Sequence, residues 1–226
     1  MICLYCGGDF IEPFSLHKMF FKERETACSQ CLAQFERIKD PACEICCGTI
    51  LENQKLCQNC KEYIKLNPNQ PIIVNKSIFQ YTNEMKEWLN RYKFYGDVTL
   101  ASLFITDLKE YYQKSFRNFK IVPIPLSKER LKERGFNQVE ILAQQAGLPF
   151  IKCLQRVHTE KQSKLSRYER LSREQVFSFC GDEKFKNVPI LILDDVYTTG
   201  KTVRDAAIIL LQNGATEVYS LTLIRA

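Results

Sequence analysis

Two constellations in this 226-residue sequence carry residue types whose spacing could do chemistry. The first is Leu191-Ile192-Leu193-Asp194-Asp195-Val196-Tyr197-Thr198-Thr199-Gly200-Lys201-Thr202. An apolar run leads into two adjacent carboxylates and then into a short loop of hydroxyl side chains and a glycine. Thr198, Thr199, Gly200 and Thr202 supply hydroxyls and free N–H groups where a helix is expected to start. Such a loop can hold a phosphate through its N–H donors and the positive end of the helix dipole. Asp194 and Asp195, at the C-terminal end of a strand, stand where ligands bind in open α/β sheets. The pairing suits a ligand that carries both vicinal hydroxyls and a phosphate. Gly200-Lys201-Thr202 does not complete a Walker A loop, which needs glycine where Asp195 stands, so the ATPase reading fails.

The second constellation is cysteine. Nine of the eleven cysteines precede Lys61, and eight of them form C-x-x-C pairs: Cys3/Cys6, Cys28/Cys31, Cys43/Cys46 and Cys57/Cys60. One such turn aims two thiolates at one centre, and two turns complete a tetrahedral Zn–S₄ site. Four pairs predict one or two structural zinc ions. The spacing leaves the pairing open, consecutive or interleaved, and Cys47 could stand in for Cys46. His17 reads as an ordinary surface histidine. Closed structural zinc sites do no catalysis, so none is expected in this head.

The rest of the chain must position these groups. Its length suits a small domain at residues 1–65 and a larger one at 66–226, joined near Leu66-Asn67-Pro68-Asn69-Gln70-Pro71. There is no run of 18 apolar residues and no basic n-region, so a cytoplasmic protein without membrane insertion is expected, its cysteines free or metal-bound rather than disulfide-linked. The net charge is +6. The excess gathers between Lys128 and Glu174, a patch that could meet polyphosphate, nucleic acid or an acidic partner.

Along the larger domain, Ile72 to Val74 and Ile78 to Tyr81 suggest a strand pair or hairpin. Met85, Trp88, Leu89 and Tyr92 recur at helical spacing, with a stop near Gly96. A second helix is expected through Leu100, Leu103, Phe104, Leu108 and Tyr111. Trp88 reads as core, and Lys93 as a phosphate contact of lower rank. Ile121 to Pro125 reads as a strand ended by its prolines. If it lies beside the Asp194 strand, the loop from Lys128 to Gln138 faces the same crevice and offers an anion site, with Arg134 the favoured residue. A helix from Gln138 to Ala146, a strand around Phe150 to Leu154, a polar loop from Arg156 to Ser163 that could close over a ligand, and a helix from Leu165 follow. His158 reads as an exposed loop residue, Cys153 and Cys180 as buried thiols. Val188 to Leu193, a helix to Gln212 and Val218 to Ile224 complete a strand–helix–strand unit, the first strand apolar on both faces as in a parallel sheet.

The stretch DDVYTTGKT resembles the PRPP-binding signature of type I phosphoribosyltransferases. With it stand, in order, a cysteine-rich head, Lys93-Phe94-x-Gly96-Asp97, Pro123-x-Pro125, Arg134-Gly135-Phe136-Asn137-Gln138 and Thr159-x-x-Gln162-x-x-Leu165. That series makes the whole chain similar to the ComF family. It departs at Arg173, where members usually carry Asn.

The resemblance implies an α/β body of the type I phosphoribosyltransferase kind with a mostly parallel sheet, behind a small zinc-stapled N-terminal domain. It implies PRPP bound with Mg²⁺. Asp194 and Asp195 would hold the ribose hydroxyls or the metal, Val196 to Thr202 (Val196, Tyr197, Thr198, Thr199, Gly200, Lys201, Thr202) would line the PRPP loop, and Arg134 would face pyrophosphate. It further implies a role in uptake of transforming DNA, with single-stranded DNA, a ComFA-like helicase and other DNA-uptake or recombination proteins as partners at the inner face of the membrane. Two other readings stand beside this one. An active phosphoribosyltransferase would act on a base or other nucleophile, though no base-recognising hood is visible, and a transcriptional regulator could be built on the same fold.

Overall fold

Successive side chains of a strand point to opposite faces. In the run Ile190-Leu191-Ile192-Leu193 all four are buried, Leu191 and Leu193 in one apolar cluster and Ile190 and Ile192 in another. Such a strand needs cover on both faces. The computed structural model, which describes residues 1–11, 26–157, 176–181 and 185–226, provides it.

The head contains α1 (Ser29–Leu32) and α2 (Gln58–Leu66). The body runs β1 (Asn75–Gln80), α3 (Asn83–Phe94), a 3₁₀ turn (Val98–Leu103), α4 (Ile105–Ser115), β2 (Lys120–Pro123), α5 (Lys128–Arg134) and α6 (Gln138–Gln145). It continues through β3 (Leu154–Arg156), β4 (Phe177–Phe179), β5 (Val188–Tyr197), α7 (Lys201–Gln212) and β6 (Ala215–Arg225). The main sheet has the order β1-β6-β5-β2 with every pair parallel, and β3 pairs antiparallel with β4. This is the expected α/β class with a parallel sheet behind a small cysteine-rich head.

One face of the sheet carries α3, α4 and α6 through Met85, Trp88, Leu108 and Leu142. The other carries α7, whose Ala206 and Ala207 are fully buried and let the helix come close. Trp88 is core, 0% exposed, with its indole N–H donating to the Leu100 carbonyl at 3.1 Å. Its ring stacks on Tyr92 and meets Phe104 edge-on.

Four local expectations change. Ile72 to Val74 form no strand with β1: the Val74 carbonyl accepts from Ser220 N–H, and Asn75 N–H turns to Ile45 in the head. The second helix breaks at Phe104, which swings its ring between Phe35, Phe79 and Trp88. Phe150 makes a single bridge to Ile121, and the strand proper starts at Leu154. The stretch after β2 is the helix α5, started by the Ser127 hydroxyl and ended by Gly135 in a left-handed conformation. The expectations at His17, His158, Thr159 to Leu165, the helix from Leu165, Arg173 and most of the polar loop lie outside the described residues.

The head covers an edge. Gln80 N–H donates to the Glu36 carbonyl and Ile38 N–H to the Ile78 carbonyl, so a short extended piece pairs with β1 on the side that β6 leaves free. Such cover removes an exposed row of backbone donors and acceptors. Removing the Trp88 indole should test the packing. Trp88→Ala is expected to lower unfolding free energy by about 3–5 kcal/mol in urea denaturation.

Candidate functional site

The strand register assembles the site. Pro123 of β2 lies level with Leu193 of β5, and Ile124 N–H donates to the Leu193 carbonyl at 2.9 Å. The end of β2 and the pair Asp194–Asp195 therefore share one edge of the sheet, where ligands bind in such folds.

The two carboxylates differ. Asp195 is 5% exposed and has two partners: the Lys93 ammonium at 2.6 Å and the Gln138 side-chain amide, donating at 3.0 Å to the same Oδ2. Among the described residues Asp194 accepts only the neighbouring Asp195 N–H, at 2.9 Å. Burial first, and then the charge of Asp195, push its carboxyl up to about 7. Loss of water penalises the charged form and a like charge adds to that penalty. Asp194 is thus the group with charge still to be compensated, as suits a carboxylate that would meet a cation or accept a hydrogen bond from a hydroxyl.

The RGFNQ block explains itself as a latch between α5 and that carboxylate. The Arg134 guanidinium lies over the Phe94 ring, 5.3 Å from its centroid, and its Nε is buried without a hydrogen-bond partner among the described residues. Phe136 packs on Tyr92. Asn137 caps α6 by accepting from Val139 N–H, and its amide holds the Ile124 carbonyl at the end of β2. Gln138 then reaches Asp195. Lys93 is therefore an ion-pair partner of Asp195, and Gln138 is a site residue that sequence reasoning left unassigned although the motif contained it. Arg156 was missed within the polar loop. Its Nε donates to the Pro125 carbonyl at 3.0 Å, and Asp194 is among the charges that act on it.

Beyond the carboxylates, Val196 packs toward the α3 side and Tyr197 is buried on the α7 side. Thr198 and Thr199 are exposed. Gly200 sits at φ +76, where an added Cβ would lie 2.1 Å from the Tyr197 hydroxyl; the turn admits only glycine. Arg204 braces the loop by donating to the Thr199 carbonyl at 2.9 Å. Lys201 turns along α7 to Asp205 rather than into the loop. Thr202 lies in the first turn of α7, behind the N-terminus that Gly200 opens.

In the head, the sulfurs of Cys3, Cys6, Cys28 and Cys31 lie within 4.8 Å of one another, and so do those of Cys43, Cys46, Cys57 and Cys60. The pairing is consecutive. Each group could hold a metal ion, since tetrahedral thiolates at about 2.3 Å from zinc stand about 3.8 Å apart. Burial would raise the Cys3 and Cys43 thiols, but backbone N–H donors outweigh it and bring them down to about 6 and about 7. Burial keeps Cys31 and Cys60 raised. Cys47 stands outside the second group, at φ +56, with its thiol on the Asn75 carbonyl. Cys153 is buried as expected; Cys180, expected to be buried as well, is exposed, with its backbone N–H donating to the Cys153 carbonyl at 2.8 Å.

Fold and site together define an α/β protein with two adjacent carboxylates and a glycine-turned loop at one edge of a parallel sheet, behind a head with two four-cysteine groups. No family model matches the chain. Its full length is 36% identical to competence protein ComFC of Bacillus subtilis, covering 95% of that protein. It is 34% identical to competence protein ComFC of Streptococcus pneumoniae, both chains covered completely. Against competence protein F of Haemophilus influenzae it is 29% identical over 99% of this chain and 96% of that one. The chain belongs to the ComF family of competence proteins. Similar solved structures include an adenine phosphoribosyltransferase (16% identity, 59% of this chain, 74% of that one, TM-score 0.39) and a purine phosphoribosyltransferase of Pyrococcus horikoshii (16%, 58%, 85%, TM-score 0.34).

Removing the cation beside Asp195 tests the electrostatics. Lys93→Met takes away the ion-pair partner of Asp195 and a cation that holds the already raised Asp194 carboxyl down. Asp194 then rises further above its unfolded value and binds a proton more readily folded than unfolded, so stability falls as pH rises through that window. The expected loss is about 3 kcal/mol at pH 8 and less at pH 5, read by urea denaturation at both.

Proposed function

We propose that this chain is a competence factor of natural transformation that binds PRPP with Mg²⁺ at the Asp194–Thr202 edge and handles single-stranded DNA during uptake. The observation that carries the reading is full-length likeness to two proteins named ComFC. In it the Thr198–Thr202 loop holds the 5′-phosphate, Asp194 and Asp195 orient the ribose hydroxyls directly or through the metal, and Arg134 meets pyrophosphate with its planar fork. The raised carboxyl of Asp194 fits a group that gains a cation on ligand binding. Bound Mg²⁺ would supply charge neutralisation for the pyrophosphate. Both four-cysteine groups hold zinc as closed structural sites. Among the described residues no helix is long and apolar enough to cross a membrane; contact with the uptake machinery at the membrane would come through partners.

A second reading, an active phosphoribosyltransferase, is favoured by the intact run from Asp194 to Thr202. Its transition state would be served by charge placement around an oxocarbenium-like ribose carbon and the departing pyrophosphate. Pyrophosphate release with a panel of bases decides between enzyme and binding protein.

Calorimetric titration of PRPP with Mg²⁺ into the native protein and into Asp194→Ala/Asp195→Ala tests the site. Binding is expected to vanish in the double variant; unchanged affinity would sink the assignment. In the native protein, binding should release up to about one proton at pH 6 and almost none above pH 8, because the ligand-free Asp194 carboxyl titrates near 7 and the bound form is ionised. Metal analysis of reduced, purified protein should find about two zinc ions per chain. Cys46→Ser should remove one and Cys47→Ser none.

A further inference from the structure

A cavity of about 330 Å³ opens between α2 of the head and the loop after β5. None of the roles proposed so far uses it. Its size falls in the range of small-molecule sites, about 300–1,000 Å³. The floor is apolar, with Ile45 and Ile73, and the mouth is formed partly by Thr198 and Thr199 of the loop itself. One wall is a stacked pair: the Arg204 guanidinium lies 3.9 Å from the centroid of the Tyr63 ring. The other is Arg225, which donates to the Tyr197 carbonyl at 3.3 Å and keeps a buried Nε without a partner among the described residues.

Such a wall suits a flat, uncharged ring attached to an anion. An aromatic and a guanidinium plane accept the face of any base, and an apolar floor takes its edge. An aliphatic side chain of a protein partner would fill the floor but leave the buried Arg225 Nε without an acceptor, which is costly. The chemistry of the phosphate narrows the ligand further. A phosphomonoester in the Thr198–Thr202 loop, such as the 5′-phosphate of PRPP, has no substituent to send into the cavity. A phosphodiester has one, because its second ester bond carries the preceding nucleoside.

We propose that this cavity receives the base on the 5′ side of a phosphodiester held by the Thr198–Thr202 loop, so that the loop grips single-stranded DNA with two nucleosides straddling it. The inference rests on reading that loop as a phosphate cradle. PRPP and DNA then compete for one set of N–H donors. The sequence independence of the site follows from stacking, and its salt dependence from the two arginines and the polyanion.

The test uses the full chain and a single-stranded oligonucleotide carrying 5-iodo-deoxyuridine, irradiated and mapped by mass spectrometry. Crosslinks are expected at Tyr63 or Tyr197. In fluorescence anisotropy Tyr63→Ala should weaken oligonucleotide binding about tenfold, with a much smaller change for PRPP, while Tyr63→Phe keeps both. Excess PRPP should displace the oligonucleotide from the native protein. Crosslinks confined to other surfaces, no competition by PRPP in a protein shown to bind it, or an equal loss of both ligands in Tyr63→Ala would each overturn the proposal. A native protein that fails to bind PRPP yet crosslinks at Tyr63 would instead overturn the PRPP reading and leave the cavity assignment standing.

Discussion

Two carboxylates adjacent in sequence, at the end of a strand buried on both faces, set the terms for the rest of this molecule. Each buried charge must be paired or protonated, since the interior cannot solvate it. Asp195 is paired, with Lys93 from α3 and Gln138 from α6 meeting on a single oxygen. Those contacts oblige α3 to end and α6 to begin beside Asp195, and oblige α5 and α6 to be separated by a turn that delivers Gln138. Among the described residues Asp194 has no such partner side chain, and burial together with the charge of Asp195 raises its carboxyl. The structure spends its compensation on one acid and leaves the other responsive to whatever enters.

Much of this was legible in the sequence, and for identifiable reasons. The strand of β5, the helix α7 and the loop between them follow from a two-faced apolar run, an anion-type loop and an Asn213-Gly214 stop, all of them local signals. The four-cysteine groups were legible as groups but not as pairings, because spacing says which thiols turn together and not which turns meet. What failed was set by distant contacts. Phe104 breaks its helix to join an aromatic cluster with Phe35 of the head, and Ile72 to Val74 were drawn away from β1 by β6 and the head. Lys128 to Arg134 looked like a loop because its charges hide a helix with no buried face. Arg156 gave no signal, since its role depends on β2 ending beside it.

The head and body are chemically continuous. Cys31 and Phe35 share an apolar cluster with Trp88, and Cys43, Cys46 and Cys60 share one with Ile192 and Tyr197. Arg225, near the end of β6, lies between the second four-cysteine group and the loop: one nitrogen approaches the Cys46 sulfur at 3.7 Å and another donates to Tyr197. A buried ladder of Asn75, Ser77, Ser220 and Thr222 runs beneath that junction, each side chain hydrogen-bonded to another. Polar groups placed so deep fix the register of β1 on β6, because a one-residue slip would strand them unpaired.

That register has a consequence for how the molecule comes into being. Among the described strands of the main sheet β1 pairs only with β6, some 145 residues later in the chain, and the head leans on β1. During synthesis the head and β1 emerge early, while the strand that completes their hydrogen bonding is the last of the sheet to be made. Through that interval β1 offers an unpaired edge with buried-type residues, the circumstance in which nascent chains associate wrongly. Closing so long a loop is also slow in itself. The paired cysteine turns, by contrast, need only residues close in sequence, so the head can acquire its shape first and shield one side of β1 until β6 arrives.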